Sequence, residues 1–175
     1  VYDVSDPTAP NLTGTVPGLA GAYAIDVVGD YAYIADGLNG LVTIDLNTMS
    51  IVGATGAASS ITALDVVGTT AYVNYGSSLL IIDVSTPGFA NLLGSYYTGN
   101  SVSGLDVEGD YCYVADGGGG LTIVDVSNLA SPVGAGNVST GGVANDVAVD
   151  GNVAYLACTS SGLAAVDVSN PLAPV

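Results

Sequence analysis

The chain has 175 residues, 16 acidic side chains and no lysine, arginine or histidine, so its formal net charge is −16. Without these cationic side chains it can form no Schiff base, no histidine-dependent serine triad and no guanidinium clamp for phosphate. Nucleic acids and anionic membrane surfaces are bound through Lys and Arg and are therefore excluded as partners. Membrane insertion is not expected either, because the uncharged stretches 46–64 and 84–105 are interrupted by polar residues, Gly and Pro.

A strand-like unit recurs along the chain with a period of about 41 residues, which is typical of a repeat architecture. Residues 1–7 are the tail of one unit, and the following copies contain 31–45, 70–83, 111–125 and 153–167. We predict a single repeat domain over 1–175. Its repeats end near the last four members of a recurring aspartate series, Asp3, Asp45, Asp83, Asp125 and Asp167.

Each unit is predicted to form four short antiparallel strands. In one copy, residues 91–96, 104–108, 111–116 and 121–126 are β-prone runs. The two-residue link Gly109-Asp110 predicts a tight hairpin, because glycine accepts the positive φ that such turns need. Four-stranded units at this spacing are typical of the blades of a β-propeller, so we predict an all-β propeller fold.

The side chains of the second strand support this prediction. Tyr31, Tyr33 and Ala35 lie on one face of the strand, and Ala32 and Ile34 lie on the other. Neither face is polar. A blade that packs between two neighbouring blades has both faces buried, so the pattern favours stacked blades.

Several sequence runs resemble a known repeat family. The runs GLVTIDL, LLIIDVS, GLTIVDVS and GLAAVDVS, with YxYxADG upstream, are similar to LVIVD repeats, which are propeller-type repeats of bacterial and archaeal surface or secreted proteins. The second and fourth copies depart from the ADG motif, at 74–76 and 157–159. The resemblance implies a propeller fold and an extracellular, cell-surface location, and it implies no reaction. The absence of Lys and Arg agrees with an extracellular surface, where these residues invite proteolysis.

The two ends of the chain have the same phase, since VYDVSDP at 1–7 matches VDVSNP at 166–171. This pattern leaves two arrangements open. The chain is either four blades of a longer repetitive polypeptide or assembly, or a closed four-bladed ring in which strands from both ends share a blade. Self-association or further repeats of the same polypeptide are the expected partners.

One recurring acidic position is a candidate cation site. Asp26, Asp65 and Asp106 lie on the first strand of each hairpin and could form a ring at the central channel. Rings of oxygen ligands suit Ca²⁺ and other hard cations, although no cofactor is required. The fourth copy has Ala148 at this position and an aspartate at Asp146. The alternative is that these carboxylates accept hydrogen bonds from backbone N–H groups.

Other motifs have simpler interpretations. The aspartates that end each unit are expected to accept backbone N–H groups in the following turn. The loops 36–40 and 116–120 lack the ligand spacing of calcium loops and are interpreted as hairpin turns. Cys112 and Cys158 occupy different places in their repeats and are expected to be buried free thiols. Asn11 and Asn137 lie in N-x-Ser/Thr sequons and are candidate glycosylation sites, with glycans as expected partners.

Three functions follow from these features. The first is a non-enzymatic structural or adhesive module of a surface protein, appendage or filament. The second is a binding module whose propeller face recognises a glycan, a peptide or a partner protein. The third is a hydrolase that uses a pair of carboxylates, which requires two Asp residues to converge in a pocket. We favour the first because of the repeat, the phase-matched ends, the missing cationic residues and the lack of catalytic side chains.

Overall fold

The computed structural model describes residues 1–57 and 59–175, and within these ranges the regular secondary structure is all β-strand. A short hairpin of β1 and β2 is followed by four antiparallel blades, which we number I to IV in chain order. The strands are β1 (Tyr2–Asp3), β2 (Asn11–Leu12), β3 (Ala24–Val28), β4 (Tyr31–Ala35), β5 (Leu41–Asp45), β6 (Ser50–Ala54), β7 (Leu64–Val67), β8 (Thr70–Tyr75), β9 (Ser78–Thr86), β10 (Phe89–Tyr97), β11 (Gly104–Glu108), β12 (Tyr111–Ala115), β13 (Leu121–Asp125), β14 (Val133–Val138), β15 (Ala144–Asp150), β16 (Val153–Cys158) and β17 (Gly162–Asp167).

The blades follow the chain without crossovers. Blades I, II and III each contain four strands in sequence order, and blade IV contains the three strands β15, β16 and β17. The first strands of neighbouring blades, β3, β7, β11 and β15, contact one another in succession and line the hub. This arrangement is a four-bladed β-propeller and confirms the predicted fold class.

Tight turns join the first and second strands of each blade. Glu108 pairs with Tyr111 across a two-residue turn, and Gly109 has a φ of 61°. The glycines at the same position in the other blades have φ values between 59° and 62°. Because L-residues with a side chain rarely adopt this conformation, the turn explains the recurring glycine.

The hydrophobic core lies between the blades. Tyr33 and Ala35 of blade I share a buried cluster with Val73 and Ile82 of blade II. Equivalent clusters join blade II to blade III and blade III to blade IV. The alternation seen in the sequence therefore corresponds to two apolar faces on each inner blade, each packed against a neighbour.

The two ends of the chain do not share a blade. β1 pairs with β2, and β17 pairs with β16. The main chain of Asp167 also exchanges two hydrogen bonds with Val175. Within residues 1–57 and 59–175, no helix is long and apolar enough to cross a bilayer.

Candidate functional site

The three aspartates of the predicted ring lie on the first strands of blades I to III, where each carboxylate joins its own blade to the next. The backbone N–H of Val66 donates to Asp26 at 2.9 Å, that of Val107 donates to Asp65 at 2.8 Å, and that of Val149 donates to Asp106 at 2.6 Å. Every one of these bonds links residues that are 40 to 43 positions apart. The three carboxylates are therefore inter-blade hydrogen-bond acceptors.

The hub carboxylates also affect each other's charge. Burial raises the pKa of Asp65, and the nearby Asp106 and Asp26 carboxylates raise it further, while the N–H groups of Val107 and Val66 oppose these effects. The net result is a pKa above the ordinary aspartate value. The elevated pKa means that burial in the hub favours the neutral form of Asp65 more than water does.

The predicted cation site stays a prediction. Asp26, Asp65 and Asp106 recur at one level of the hub, and blade IV has Ala148 there. In the described part of the chain, no group of three or more acidic, cysteine or histidine side chains has the proximity needed to hold a metal ion. The backbone hydrogen bonds give these carboxylates a role that does not depend on a cation.

The aspartates that end each unit form turns, as predicted. Each accepts a hydrogen bond from the backbone N–H two residues later, at 2.8 to 2.9 Å; the acceptors are Asp3, Asp45, Asp83, Asp125 and Asp167. Hydrogen bonds from Ser127 hold the pKa of Asp125 below its ordinary value, and Ser169 does the same for Asp167. The predicted structural role of this series is confirmed.

A second set of polar side chains anchors the segments that enter blades I and II. The buried carboxylate of Asp36 accepts hydrogen bonds from the N–H groups of Ala20 and Gly21. Burial alone would raise the pKa of Asp36, but these bonds and one from Asn39 outweigh it and lower the pKa. In blade II the buried Asn74 accepts from the N–H groups of Thr62 and Ala63. The sequence analysis interpreted the Asp36 loop only as a turn and noted Asn74 only as a departure from the ADG motif, so it missed the anchoring.

The equivalent carboxylate in blade III lines a polar cleft of about 480 Å³. Asp116 is buried and accepts from the hydroxyl of Thr98 at 2.6 Å and, at 3.3 Å, from the amide of Asn100 and the hydroxyl of Thr122. The hydrogen-bond donors to Asp116 are all side chains, whereas Asp36 accepts two backbone N–H groups as well as the Asn39 amide. Among the described residues that line this cleft, Asp116 is the one carboxylate. The cleft therefore offers hydroxyl, amide and carboxylate groups to a polar ligand, without an acid pair.

The two sequons differ in their surroundings. Asn11 is exposed on β2, where it pairs with Asp3. The side-chain amide of Asn137 donates to the carbonyl groups of Gly119 and Leu121 and to the hydroxyl of Thr122, at 2.9 to 3.3 Å. A glycan on Asn137 would replace one of the amide hydrogens used in these bonds. The geometry favours Asn11 as the better acceptor of a glycan.

Both cysteines are buried free thiols, as predicted. Burial raises the pKa of the Cys112 thiol far above its ordinary value, and the charges of Asp65 and Asp106 contribute to the increase. A thiol that stays protonated is a poor nucleophile. Cys112 therefore acts as a small apolar side chain between blades II and III.

Two outer faces of the blade stack differ from the inner ones. We call the first the blade IV face, which consists of Ala148, Tyr155, Ala157, Leu163 and Ala165. Its Tyr155 and Leu163 are 40% and 70% exposed, whereas the same positions in blade III, Tyr113 and Leu121, are 4% and 0% exposed. The difference arises because blade IV covers blade III, and no blade covers the blade IV face in the part of the chain that the structure describes.

The second outer face, which we call the blade I face, consists of Ile25, Val27, Ala32, Ile34, Val42 and Ile44. Val16 and Leu19 from the N-terminal segment pack over its centre. Ile25 and Val27 on the inner strand remain exposed. An apolar cavity of about 300 Å³ separates the segment from the blade.

Comparison with known proteins shows a match to the LVIVD repeat over almost the whole chain. The matched segments are 1–17, 21–51, 55–98, 99–140 and 141–175. No curated protein matches the chain.

Solved structures show the same fold at low sequence identity. Hydrazine synthase from Kuenenia stuttgartiensis is 18% identical with a TM-score of 0.76, and the match covers 94% of this chain and 51% of that one. The β-propeller domain of Cps50 (Swd1) from Myceliophteria thermophila is 16% identical with a TM-score of 0.75, covering 90% and 54%. The computationally designed protein Ika4 is 10% identical with a TM-score of 0.73, covering 86% and 94%. The chain thus spans about half the length of the first solved structures that it resembles.

Proposed function

We propose that this chain, which belongs to the LVIVD-repeat family, is an extracellular structural and adhesive module. It serves as a building block of a surface protein, appendage or filament and has no catalytic activity. One observation carries the proposal: the recurring polar groups of the blades are used to hold the blades together. Asp26, Asp65 and Asp106 bind the next blade, and Asp36 and Asn74 bind the incoming segments.

The composition supports the same role. Because the chain lacks Lys, Arg and His, it lacks the groups that activate most nucleophiles and bind most anionic substrates. Trypsin-like proteases cleave after Lys and Arg, so this chain offers them no site. Such resistance suits a protein that is exposed outside the cell.

Electron microscopy of native material tests the proposal. We expect ordered rows, fibres or repetitive particles at the cell surface, built from blades. Separate monomeric particles inside the cell would contradict both the structural role and the location.

A binding module is the second candidate function, and the cleft at Asp116 favours it. The cleft presents Thr98, Asn100, Asp116 and Thr122, which can hydrogen-bond to the hydroxyl groups of a glycan. Screening the protein against a glycan array tests this candidate, with Asp116→Asn as the site variant. Binding by the wild type that the variant loses would favour recognition over a purely structural role.

A further inference from the structure

The interfaces between blades inside the chain show which surface packs against the equivalent of the blade IV face. Between blades II and III, Tyr72 shares a buried cluster with Leu105, Cys112, Val114 and Val124 of the next blade. Tyr155 occupies the same strand position in blade IV as Tyr72 does in blade II. The natural partner of the blade IV face is therefore the opposite face of another blade of this repeat.

Each copy of the chain carries such an opposite face on blade I. Ile25, Ala32, Ile34 and Ile44 occupy the places that Leu105, Cys112, Val114 and Val124 have in blade III. The same four blade I residues line the apolar cavity of about 300 Å³. The cavity thus lies where the tyrosine of a preceding blade would be.

We infer that the blade IV face of one copy docks on the blade I face of a second copy, where it displaces Val16 and Leu19 and brings Tyr155 to the apolar cavity beside Ile34. This inference rests on the proposed role as a building block and names the surface through which copies join. Leu163, which is 70% exposed in the single chain, becomes buried as Leu121 is. Removing this apolar area from water drives the association.

One hydrogen bond of the inner interfaces is missing from this contact. At each inner interface a hub aspartate accepts the N–H of the next blade, but blade IV has Ala148 at that position. The matching donor is the backbone N–H of Val27. It already donates to the carboxylate of the preceding residue, Asp26. The contact between copies therefore lacks one hydrogen bond that stabilises each inner interface.

Charge opposes the same contact. Each copy carries a net charge of −16, so two copies repel each other at low ionic strength. At about 1 M salt the screening length falls to roughly 3 Å, and the repulsion is largely removed. Association is therefore expected to increase with salt.

Sedimentation velocity over a concentration series at about 1 M NaCl tests the inference on four proteins. They are the wild type, Leu163→Asp, Tyr155→Ser and the control Leu38→Asp. Leu38 is 68% exposed on the turn between β4 and β5, so its substitution adds the same charge away from both faces. Tyr155→Ser is a milder second variant of the face, and circular dichroism checks that each protein is folded.

We expect the wild type and Leu38→Asp to associate alike, and Leu163→Asp to weaken association more than about tenfold. If Leu163→Asp, Tyr155→Ser and the wild type associate equally, the inferred surface is wrong while a building-block role stands. A wild type that stays monomeric at every concentration and salt would overturn both.

Discussion

At the level of residues, the hub carboxylates are the most consequential side chains. The Asp106 carboxylate accepts the N–H of Val149 at 2.6 Å across the interface between blades III and IV. Asp106→Ala removes the acceptor and leaves that N–H without its partner. We expect a loss of about 1–3 kcal/mol in the free energy of unfolding, measured by urea denaturation.

Asp106→Asn is the matched control, because its amide oxygen can still accept the bond. It should retain most of the stability that the alanine variant loses. Equal losses in the two variants would show that the charge, and not the hydrogen bond, is what stabilises the interface.

Asp65 gives a prediction about pH. Its pKa is raised in the folded protein from 3.8, mainly by burial. Between that ordinary value and the folded pKa, the folded state binds more protons than the unfolded state, so the stability from Asp65 falls as pH rises. Asp65→Asn removes the charge and keeps an oxygen acceptor for Val107, so its melting temperature should exceed that of the wild type at pH 7.

The difference between Asp65→Asn and the wild type should shrink as the pH is lowered below about 4, where both side chains are neutral. Thermal melts at a series of pH values measure it. Two results would contradict a raised pKa at Asp65: a variant that melts below the wild type at pH 7, or a difference in melting temperature that does not change with pH.

At the level of elements, the turn between the first two strands of a blade sets the register of the hairpin. Gly109 has a φ of 61° and open space around it, so an added Cβ meets no atom and only backbone strain remains. Gly109→Ala should therefore cost about 1–2 kcal/mol of folding free energy. Chemical denaturation measures this cost.

Gly118→Ala is the control for that turn, since Gly118 also has open space but lacks a positive φ. It should leave stability nearly unchanged. If both substitutions are neutral, the recurring glycine is not required by the turn.

Much of the blade could be predicted from the sequence because its signals are local. Strand alternation, the Gly109-Asp110 link and the turn aspartates such as Asp125 each depend on neighbours in the chain. That Asp65 accepts a backbone N–H was one of the two expectations from the sequence, but the identity of that N–H could not be predicted in the same way. Its partner is the backbone N–H of Val107, 42 residues away, and a backbone N–H has no signature in a sequence. The same reason hid the anchoring by Asp36.

The arrangement of the outer blades was also beyond prediction from the sequence. Leu163 and Leu121 have the same place in the repeat, and their exposures differ only because one blade is covered and the other is not. The repeat pattern predicts which face of a blade is apolar. It does not predict whether another blade packs on that face, because this depends on tertiary packing.

At the level of the whole molecule, the uncompensated charge should make stability depend on ions. The chain carries 16 acidic side chains and no Lys or Arg to neutralise them. We predict that millimolar Ca²⁺ raises the melting temperature, because cations offset the repulsion between the carboxylates. Differential scanning calorimetry with Ca²⁺, with a chelator, and at matched ionic strength with a monovalent salt separates binding from screening. An equal melting temperature with Ca²⁺ and with the chelator would contradict the prediction.

The stacking of blades, face against face, is the central claim at this scale. An experimentally determined structure of the assembled chain, by cryo-electron microscopy or crystallography, tests it most directly. We predict that Leu163 falls from 70% exposure to the full burial of Leu121, with Tyr155 inside the cavity of a second copy. An assembly in which the copies meet elsewhere and Leu163 still faces solvent would contradict the account.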